Sequence, residues 1–263
     1  MDIQNSPKIK FGAIPRASYK LSSGENVRIL EMEEKDLPFI TKLSDNMDDF
    51  MNKREIETVT DKRLIIDTAF KIIKEMLSKS TKSTPNQPKT HMFIAECDSD
   101  ICGVLVGGLP KTTPKGDLRH SSRGGAKKTE TELNWLATWT PNSNTKRKGI
   151  GKILMSEYIG TFEQDGVKKA FIQSEIPSLS FAQKFYESLG FKALSEQKPH
   201  SQIEKNKDIV SCVEELYDYD IVPMLGKTED VNKVKKEIFQ QYNRTPLKQD
   251  SVDISENFST ILS

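Results

Sequence analysis

The stretch that could do chemistry most directly is basic and contains two glycines, Lys146-Arg-Lys-Gly-Ile-Gly-Lys152. It follows a strand-like run that stops at Pro141 and precedes an apolar-faced helix that begins near Ile150. Glycines at a helix N-terminus let the backbone approach a ligand, and the unsatisfied N–H groups there favour an anion. Four basic side chains add positive charge for terminal phosphates: Lys146, Arg147, Lys148 and Lys152. We therefore predict a pyrophosphate-binding loop.

The spacing within this stretch excludes two well-known phosphate loops. A Walker loop requires a glycine where this chain has Lys146, and a serine or threonine where it has Ile153. The dinucleotide-binding fingerprint requires a third glycine at the position of Leu154. The stretch is therefore a phosphate loop of another kind.

The elements that must position this loop are both helices and strands. Apolar residues at spacings of three and four predict helices at 37–47, 60–79, 150–162, 180–188 and 228–242. Runs typical of strands occupy 27–30, 91–97, 101–109, 131–140, 169–174 and 191–194, with one or two more within 209–224. The order contains a hairpin and two strand–helix–strand crossovers. We predict one α/β domain, with a mixed, mostly antiparallel central sheet flanked by helices.

Three stretches, in the right order, resemble signature regions of the GNAT N-acetyltransferases. Glu132-Leu-Asn-Trp-Leu-Ala-Thr138 resembles the family's fourth strand. Gly149 and Gly151 match the small residues of its acyl-CoA loop. Ala182-Gln-Lys-Phe-Tyr-Glu-Ser-Leu-Gly-Phe191 resembles its A-x-x-F-Y-x-x-x-G-F signature. The resemblance covers residues 25–225 and implies the GNAT acyl-CoA N-acyltransferase fold.

The resemblance implies acetyl-CoA as cofactor, with CoA as product, and direct transfer of the acetyl group to a primary amine in a ternary complex. In the family the strand backbone pairs with the pantetheine arm and the loop holds the pyrophosphate. The implied cofactor-binding residues are Ala137, Thr138, Trp139, Thr140, Lys146, Arg147, Lys148, Gly149, Ile150, Gly151 and Lys152.

Two residues acquire catalytic roles from the same resemblance. Glu132 occupies a position that some family members use as general base, directly or through water. Tyr186 matches a tyrosine that commonly lies near the thioester sulfur as general acid. The alternatives are an ordinary strand carboxylate for Glu132 and a core aromatic for Tyr186.

Three departures from the family pattern keep a second hypothesis open. Lys146 replaces the usual arginine or glutamine, and the loop from Pro141 to Gly149 is longer than is common. Leu179 stands where an asparagine is frequent. The alternative is a GNAT-fold protein that has lost catalysis and acts as a CoA-binding, regulatory or interaction protein.

The charge distribution bears on the partner. The formal net charge is +1, from 39 Lys and Arg against 38 Asp and Glu, which argues against a general nucleic-acid or membrane partner. Acidic residues gather at 45–61 and 214–220, as suits a cationic acceptor, either a small amine or a protein lysine or N-terminus. The basic loop at 110–129 could contact CoA phosphates or an acidic partner, or be a solvated loop.

The cysteines and the apolar stretches indicate the compartment. Cys97, Cys102 and Cys212 contain no C-x-x-C pair and are odd in number, so we expect buried free thiols and neither a disulfide framework nor a metal site. No apolar stretch is long enough to span a bilayer, and no signal peptide is visible. The sequence therefore predicts a cytoplasmic location and specifies no oligomeric state.

These assignments divide the chain into three parts. Residues 1–24 are predicted to form a flexible N-terminal arm, and 25–225 the GNAT domain with the basic insertion at 110–129. Residues 226–263 are predicted to form a C-terminal helix and a frayed tail. A core of ordinary size fits within the central part, so no second domain is required.

Overall fold

Nine strands of one mixed sheet organise the described part of the chain in the computed structural model. In chain order they are β1 (Ile14–Lys20), β2 (Asn26–Glu31), β3 (His91–Cys97), β4 (Asp100–Gly108), β5 (Glu130–Thr138), β6 (Lys169–Glu175), β7 (Lys192–Ala193), β8 (Ile221–Lys227) and β9 (Thr245–Pro246). Across the sheet their order is β7-β8-β6-β5-β4-β3-β2-β1-β9. The structure describes residues 13–38, 40–41, 74, 90–97, 100–108, 129–138, 149–175, 180–193 and 221–247.

Neighbouring strands are antiparallel except for β5 and β6, which are parallel. Helix α1 (Ile150–Gly160) and the short α2 (Phe162–Asp165) form the crossover that a parallel pair requires. Helix α3 (Ser180–Glu187) follows β6, and α4 (Thr228–Gln241) follows β8. The predicted mixed, mostly antiparallel α/β sheet flanked by helices is confirmed.

Helix α1 approaches the centre of the sheet closely because β4 presents glycines beneath it. A methyl group on Gly107 would lie 2.3 Å from Cζ of Tyr158, and one on Gly103 would lie 3.0 Å from Cδ1 of Leu154. The buried Tyr158 hydroxyl also shares a hydrogen bond of 2.7 Å with Oγ1 of Thr131 on β5. These contacts fix the helix that begins at the predicted phosphate loop.

Residues 14–20 correct part of the predicted N-terminal arm. They form β1, which pairs antiparallel with β2. Ala17, Tyr19 and Leu21 are buried, whereas the residues between them are more exposed, which is the two-residue period of a strand with one face in the core. The prolines, glycines and serines around this short run hide its period in the sequence.

The C-terminal segment joins the same edge of the sheet. The Lys20 N–H donates to the carbonyl of Tyr242 (2.9 Å), and the Leu247 N–H donates to the carbonyl of Arg16 (3.1 Å). Strand β9 pairs antiparallel with β1. The predicted C-terminal helix is confirmed as α4, but a further strand follows it where the sequence predicts only helix and tail.

A buried histidine links β2, β3 and α2. His91 is 3% exposed; its Nδ1 lies 2.6 Å from Oε1 of Glu31 and its Nε2 lies 2.5 Å from Oδ2 of Asp165. Arg16 forms an ion pair with the other oxygen of Glu31. Burial lowers the pKa of His91, but the hydrogen bonds to Asp165 and Glu31 outweigh burial and raise it above its ordinary value. Only the imidazolium can donate from both nitrogens, so it is the form this arrangement favours.

Other sequence predictions within the described residues are also confirmed. The hairpin is present as β3 and β4, and the strand and helix that flank the phosphate loop are β5 and α1. Cys97 and Cys102 are free thiols with no exposed surface.

None of the described helices is long and apolar enough to cross a membrane. Several predictions fall outside the described residues: 60–73, 75–79, 110–128, 209–220, 248–263 and Cys212.

Candidate active site

The parallel strands β5 and β6 pair only at their beginnings. Their register consists of Glu130 with Lys169, Thr131 with Ala170, and Glu132 with Phe171. Beyond these pairs β5 remains bonded to β4 as far as Thr138, while β6 remains bonded to β8 as far as Glu175. The two strands therefore diverge, and no described strand pairs with this edge of β5 after Glu132. A ligand with amide groups could pair with that edge by adding a strand to the sheet.

A β-bulge lies at the start of the opening, which is the gap between β5 and β6 beyond their last paired residues. Val106 pairs with Trp135 whereas Gly107 pairs with Leu133, so Asn134 is the extra residue on β5. Side chains alternate between the two faces along a strand, and the extra residue of a bulge interrupts that alternation. Odd-numbered residues therefore face one side of the sheet before the bulge and the other side after it. Thr131 and Leu133 precede the bulge and face α1; after it, Trp135 shares the opposite face with Glu132. The indole Nε1 of Trp135 is buried with no hydrogen-bond acceptor among the described residues.

The N-terminus of α1 lies beside the opening. Gly149 precedes it with φ 121° and ψ −21°, a conformation that L side chains rarely adopt. The Gly149 carbonyl accepts the first helical hydrogen bond, from the Ile153 N–H (2.9 Å), and no side chain in the described part of the chain caps the helix. The N–H groups of the first three helical residues therefore have no acceptor within the helix. This is the arrangement of an anion site.

Gly151 is the point where β5, α1 and α3 meet. A methyl group built on Gly151 would lie 3.3 Å from Cζ of Phe185 and 3.8 Å from Cγ2 of Thr138. The structure thus brings together the end of the predicted pantetheine strand and the predicted phosphate loop. A side chain longer than a methyl group at this position would have to displace the Phe185 ring or extend into the opening.

Tyr186 lies one ring away from this junction. It is half-buried and packs edge-on against Phe185, with ring centroids 5.1 Å apart, and against Phe191, at 6.3 Å. Its carbonyl accepts hydrogen bonds from the N–H groups of Leu189 (3.0 Å) and Phe191 (3.1 Å). The turn after α3 therefore fixes its backbone, and the Tyr186 ring belongs to the aromatic cluster that reaches Gly151.

Glu132 lies where the parallel pairing ends. It is 4% exposed and faces the side of the sheet opposite α1, whereas Tyr186 packs on the α1 side. The two predicted catalytic residues therefore flank the opening from opposite faces.

Tyr158 supports the backbone of β5 beside Glu132. Its hydroxyl donates to the Glu132 carbonyl (3.1 Å). Burial raises the pKa of Tyr158, and the Glu132 charge makes a smaller contribution in the same direction. The neutral phenol thus holds β5 in place at the base of the opening.

Tyr242 lies next to the loop, a contact that sequence reasoning missed. A methyl group on Gly149 would lie 2.7 Å from the Tyr242 hydroxyl oxygen. Burial raises the pKa of Tyr242, so its hydroxyl stays neutral at physiological pH and can donate a hydrogen bond. The two residues belong to distant parts of the chain, and no local pattern in the sequence connects them.

Some of the remaining predicted binding residues lie within the described part of the chain, and the others lie outside it. Ile150 is 1% exposed and packs in the core, so only its backbone can meet a ligand, while Lys152 is half-buried in the first turn of α1. The carbonyl of Ala137 lies 3.2 Å from a methyl group built on Gly103. Five predicted residues lie outside the described part of the chain and stay predictions: Trp139, Thr140, Lys146, Arg147 and Lys148.

The loop, α1, β6 and α3 lie within one stretch of sequence that matches a known family. Residues 142–205 match the model of the acetyltransferase (GNAT) domain. This stretch is similar to a GNAT acetyltransferase domain. The resemblance indicated by Gly149, Gly151 and Tyr186 is thereby confirmed, and the GNAT match contains the uncapped helix and the aromatic cluster described above.

Three of the solved structures that are similar to the chain, all at low identity, illustrate the match. The PaiA N-acetyltransferase of Thermoplasma acidophilum, in complex with coenzyme A, is 14% identical, with a TM-score of 0.41 over 76% of this chain and 98% of its own. A GNAT acetyltransferase of Staphylococcus aureus is 14% identical, with a TM-score of 0.40 over 77% and 99%. An uncharacterized protein of Bacillus halodurans is 9% identical, with a TM-score of 0.48 over 89% and 100%. No curated protein matches the chain.

Proposed function

We propose that this protein is an acetyl-CoA-dependent N-acetyltransferase that transfers an acetyl group directly to a primary amine. One observation carries the proposal. The divergence of β5 and β6 leaves a backbone edge for an amide-bearing ligand, and the uncapped N-terminus of α1 lies beside it with a GNAT sequence. A pantetheine arm and a pyrophosphate have the matching chemistry, amides in one part and negative charge in the other.

The described residues fit this cofactor. The β5 backbone from Ala137 to Thr138 would pair with the pantetheine amides, and the N–H groups of Ile150, Gly151 and Lys152 would bind the pyrophosphate. The Tyr242 hydroxyl is close enough to Gly149 to add a donor there. Bound acetyl-CoA supplies an activated thioester carbonyl.

Glu132 is proposed as the general base for the incoming amine. An alkylammonium has a pKa of about 10.4 and cannot attack a carbonyl until it loses a proton. The Glu132 carboxylate lies at the base of the opening, on the face away from α1, where it could accept that proton directly or through water. The Trp135 indole shares this face and could donate a hydrogen bond to a hydrogen-bond-accepting atom elsewhere on the bound amine substrate.

We expect Glu132→Gln to lower the acetylation rate about 100-fold at pH 7, because the amide cannot accept the proton. The loss should shrink as the pH rises toward the pKa of the amine, since hydroxide then deprotonates the substrate without help. The measurement is the pH dependence of kcat/KM for the amine. A variant with the wild-type profile would show that Glu132 is only a buried strand residue.

Tyr186 is proposed as the general acid that protonates the leaving thiolate. We expect Tyr186→Phe to lower kcat about 100-fold with little change in either KM, because the ring packing survives and only the proton donor is lost. The alkaline limb of the pH–rate profile should also disappear. Tyr19→Phe is a matched control, since the Tyr19 hydroxyl binds Glu157 away from the opening. An unchanged profile in Tyr186→Phe would assign that residue to the aromatic core alone.

The acceptor is proposed to be cationic, either a small amine or a protein lysine or N-terminus. The acidic stretches at 45–61 and 214–220 support this, and both lie outside the described residues. Release of free thiol from acetyl-CoA, measured with a panel of polyamines, aminocyclitols and lysine peptides, would test the activity. Tight acetyl-CoA binding with no turnover on any amine would favour the alternative, a GNAT-fold protein that binds CoA without catalysis.

A further inference from the structure

A cavity lies at the C-terminal end of α1, opposite the end at which the proposed cofactor site lies. It has a volume of about 460 Å³ and lies between β1, the C-terminal end of α1 and α4. Thr161, the residue that ends α1, lines it, whereas Gly149 begins the same helix. A helix rises about 1.5 Å per residue, so the length of α1 separates this cavity from the proposed cofactor site.

Among the described residues, three cationic side chains and one carboxylate line this cavity. The cations are Arg16, Lys235 and Arg244, and the carboxylate is Glu157. Arg244 binds both oxygens of Glu157, at 2.6 and 3.3 Å, and the Tyr19 hydroxyl donates to the same carboxylate. The negative charge at the cavity wall is therefore already compensated.

Lys235 and Arg16 retain unused donors. Lys235 is 8% exposed and lines the cavity, yet its ammonium group has no ion pair or hydrogen bond among the described residues. Arg16 pairs with Glu31 through its terminal nitrogen, while its Nε is buried with no acceptor among those residues. The Lys235 ammonium nitrogen is open to the cavity, although most of its side chain is buried. An anion in the cavity would give it a partner through a charge-assisted hydrogen bond.

We propose that this cavity binds a small carboxylate- or phosphate-bearing molecule, with Lys235 and Arg16 as its charged contacts and Phe239 as an apolar wall. Phe239 lies one turn after Lys235 on α4, and the Arg244 guanidinium covers its ring at 4.5 Å. The carboxyl end of α1 opposes an anion, so most of the attraction must come from Lys235 and Arg16. The site is independent of the proposed acetyl transfer.

The test uses the full chain with inorganic phosphate and phenyl phosphate as probes, and measures binding by calorimetry under saturating CoA. Lys235→Met should weaken binding of both probes at least about tenfold, the loss expected for one charge-assisted hydrogen bond. Lys235→Arg should retain binding. The matched control is Lys236→Met, because Lys236 is exposed on the next position of α4. Phenyl phosphate should bind more tightly than phosphate if Phe239 contributes.

Two results would overturn the proposal. One is wild-type protein that binds neither probe, and the other is Lys235→Met that binds them as tightly as wild type. If phosphate bound only at the proposed cofactor loop, Lys235→Met would bind it as tightly as wild type, because Lys235 is remote from that loop. This outcome would be seen even if CoA did not bind. Lys235→Met breaks no ion pair or hydrogen bond among the described residues, so it should fold about as stably as wild type, which thermal unfolding without probe would verify.

Discussion

Gly151→Glu is expected to abolish acetyl-CoA binding, with a rise in Kd of at least about 100-fold. The new carboxylate would begin at the junction of β5, α1 and α3, where a methyl group alone already lies 3.3 Å from Phe185. It would therefore extend toward the uncapped N–H groups of α1, compete with the pyrophosphate for them and repel its charge. Calorimetry with acetyl-CoA measures the change.

Ser22→Glu is the matched control for this variant, because it adds the same charge at the exposed turn between β1 and β2. It should bind acetyl-CoA as wild type does. Gly151→Ala separates size from charge: a methyl group needs only a small shift of Phe185, so binding should weaken far less than with glutamate. Equal affinity in wild type and Gly151→Glu would place the cofactor elsewhere and contradict the proposed function.

His91→Phe is expected to lower the free energy of unfolding by about 3 kcal/mol at pH 6. The substitution leaves Glu31 and Asp165 without the cation between them; Arg16 still pairs with Glu31, so Asp165 loses more. The pKa of His91 is raised in the folded protein. Its contribution to stability is therefore complete below the unfolded pKa of about 6.5 and is lost as the pH rises through the folded pKa.

Urea unfolding of wild type and His91→Phe at pH 6 and pH 9 would check this expectation. The difference between the two proteins should be larger at pH 6, because the imidazolium then donates to both carboxylates. His91→Gln provides the control for a neutral hydrogen-bonding side chain, and its loss relative to wild type should also be larger at pH 6. A difference that is the same at both pH values would show that His91 is neutral in the folded state.

The sequence predicted the features of the site that depend on local spacing. Gly149 and Gly151 mark a loop before a helix, and Phe185 with Tyr186 marks an aromatic turn, because each motif lies within one element and its neighbouring turn. The strand containing Glu132 was predicted for the same reason. The divergence of β5 from β6 was not, since it depends on where two strands stop pairing rather than on what either contains.

Contacts between distant parts of the chain explain the other differences. Packing places Tyr242 beside Gly149 and His91 between Glu31 and Asp165. It also places Lys235 at the cavity, with no partner among the described residues. Nothing local distinguishes Lys235 from the exposed lysines beside it on α4, except that it repeats with Val231 and Ile238 on the buried side. Charge on an apolar helix face was thus the available signal.

The pairing of β1 with β9 has a consequence for the order in which the protein can mature. During synthesis β1 leaves the ribosome first among the described strands, whereas its partner β9 and the neighbouring Tyr242 leave last. One edge of the sheet, and the aromatic contact beside Gly149, can therefore form only after nearly all of the described chain has emerged. A nascent chain that ends before residue 242 would present its phosphate loop without that contact.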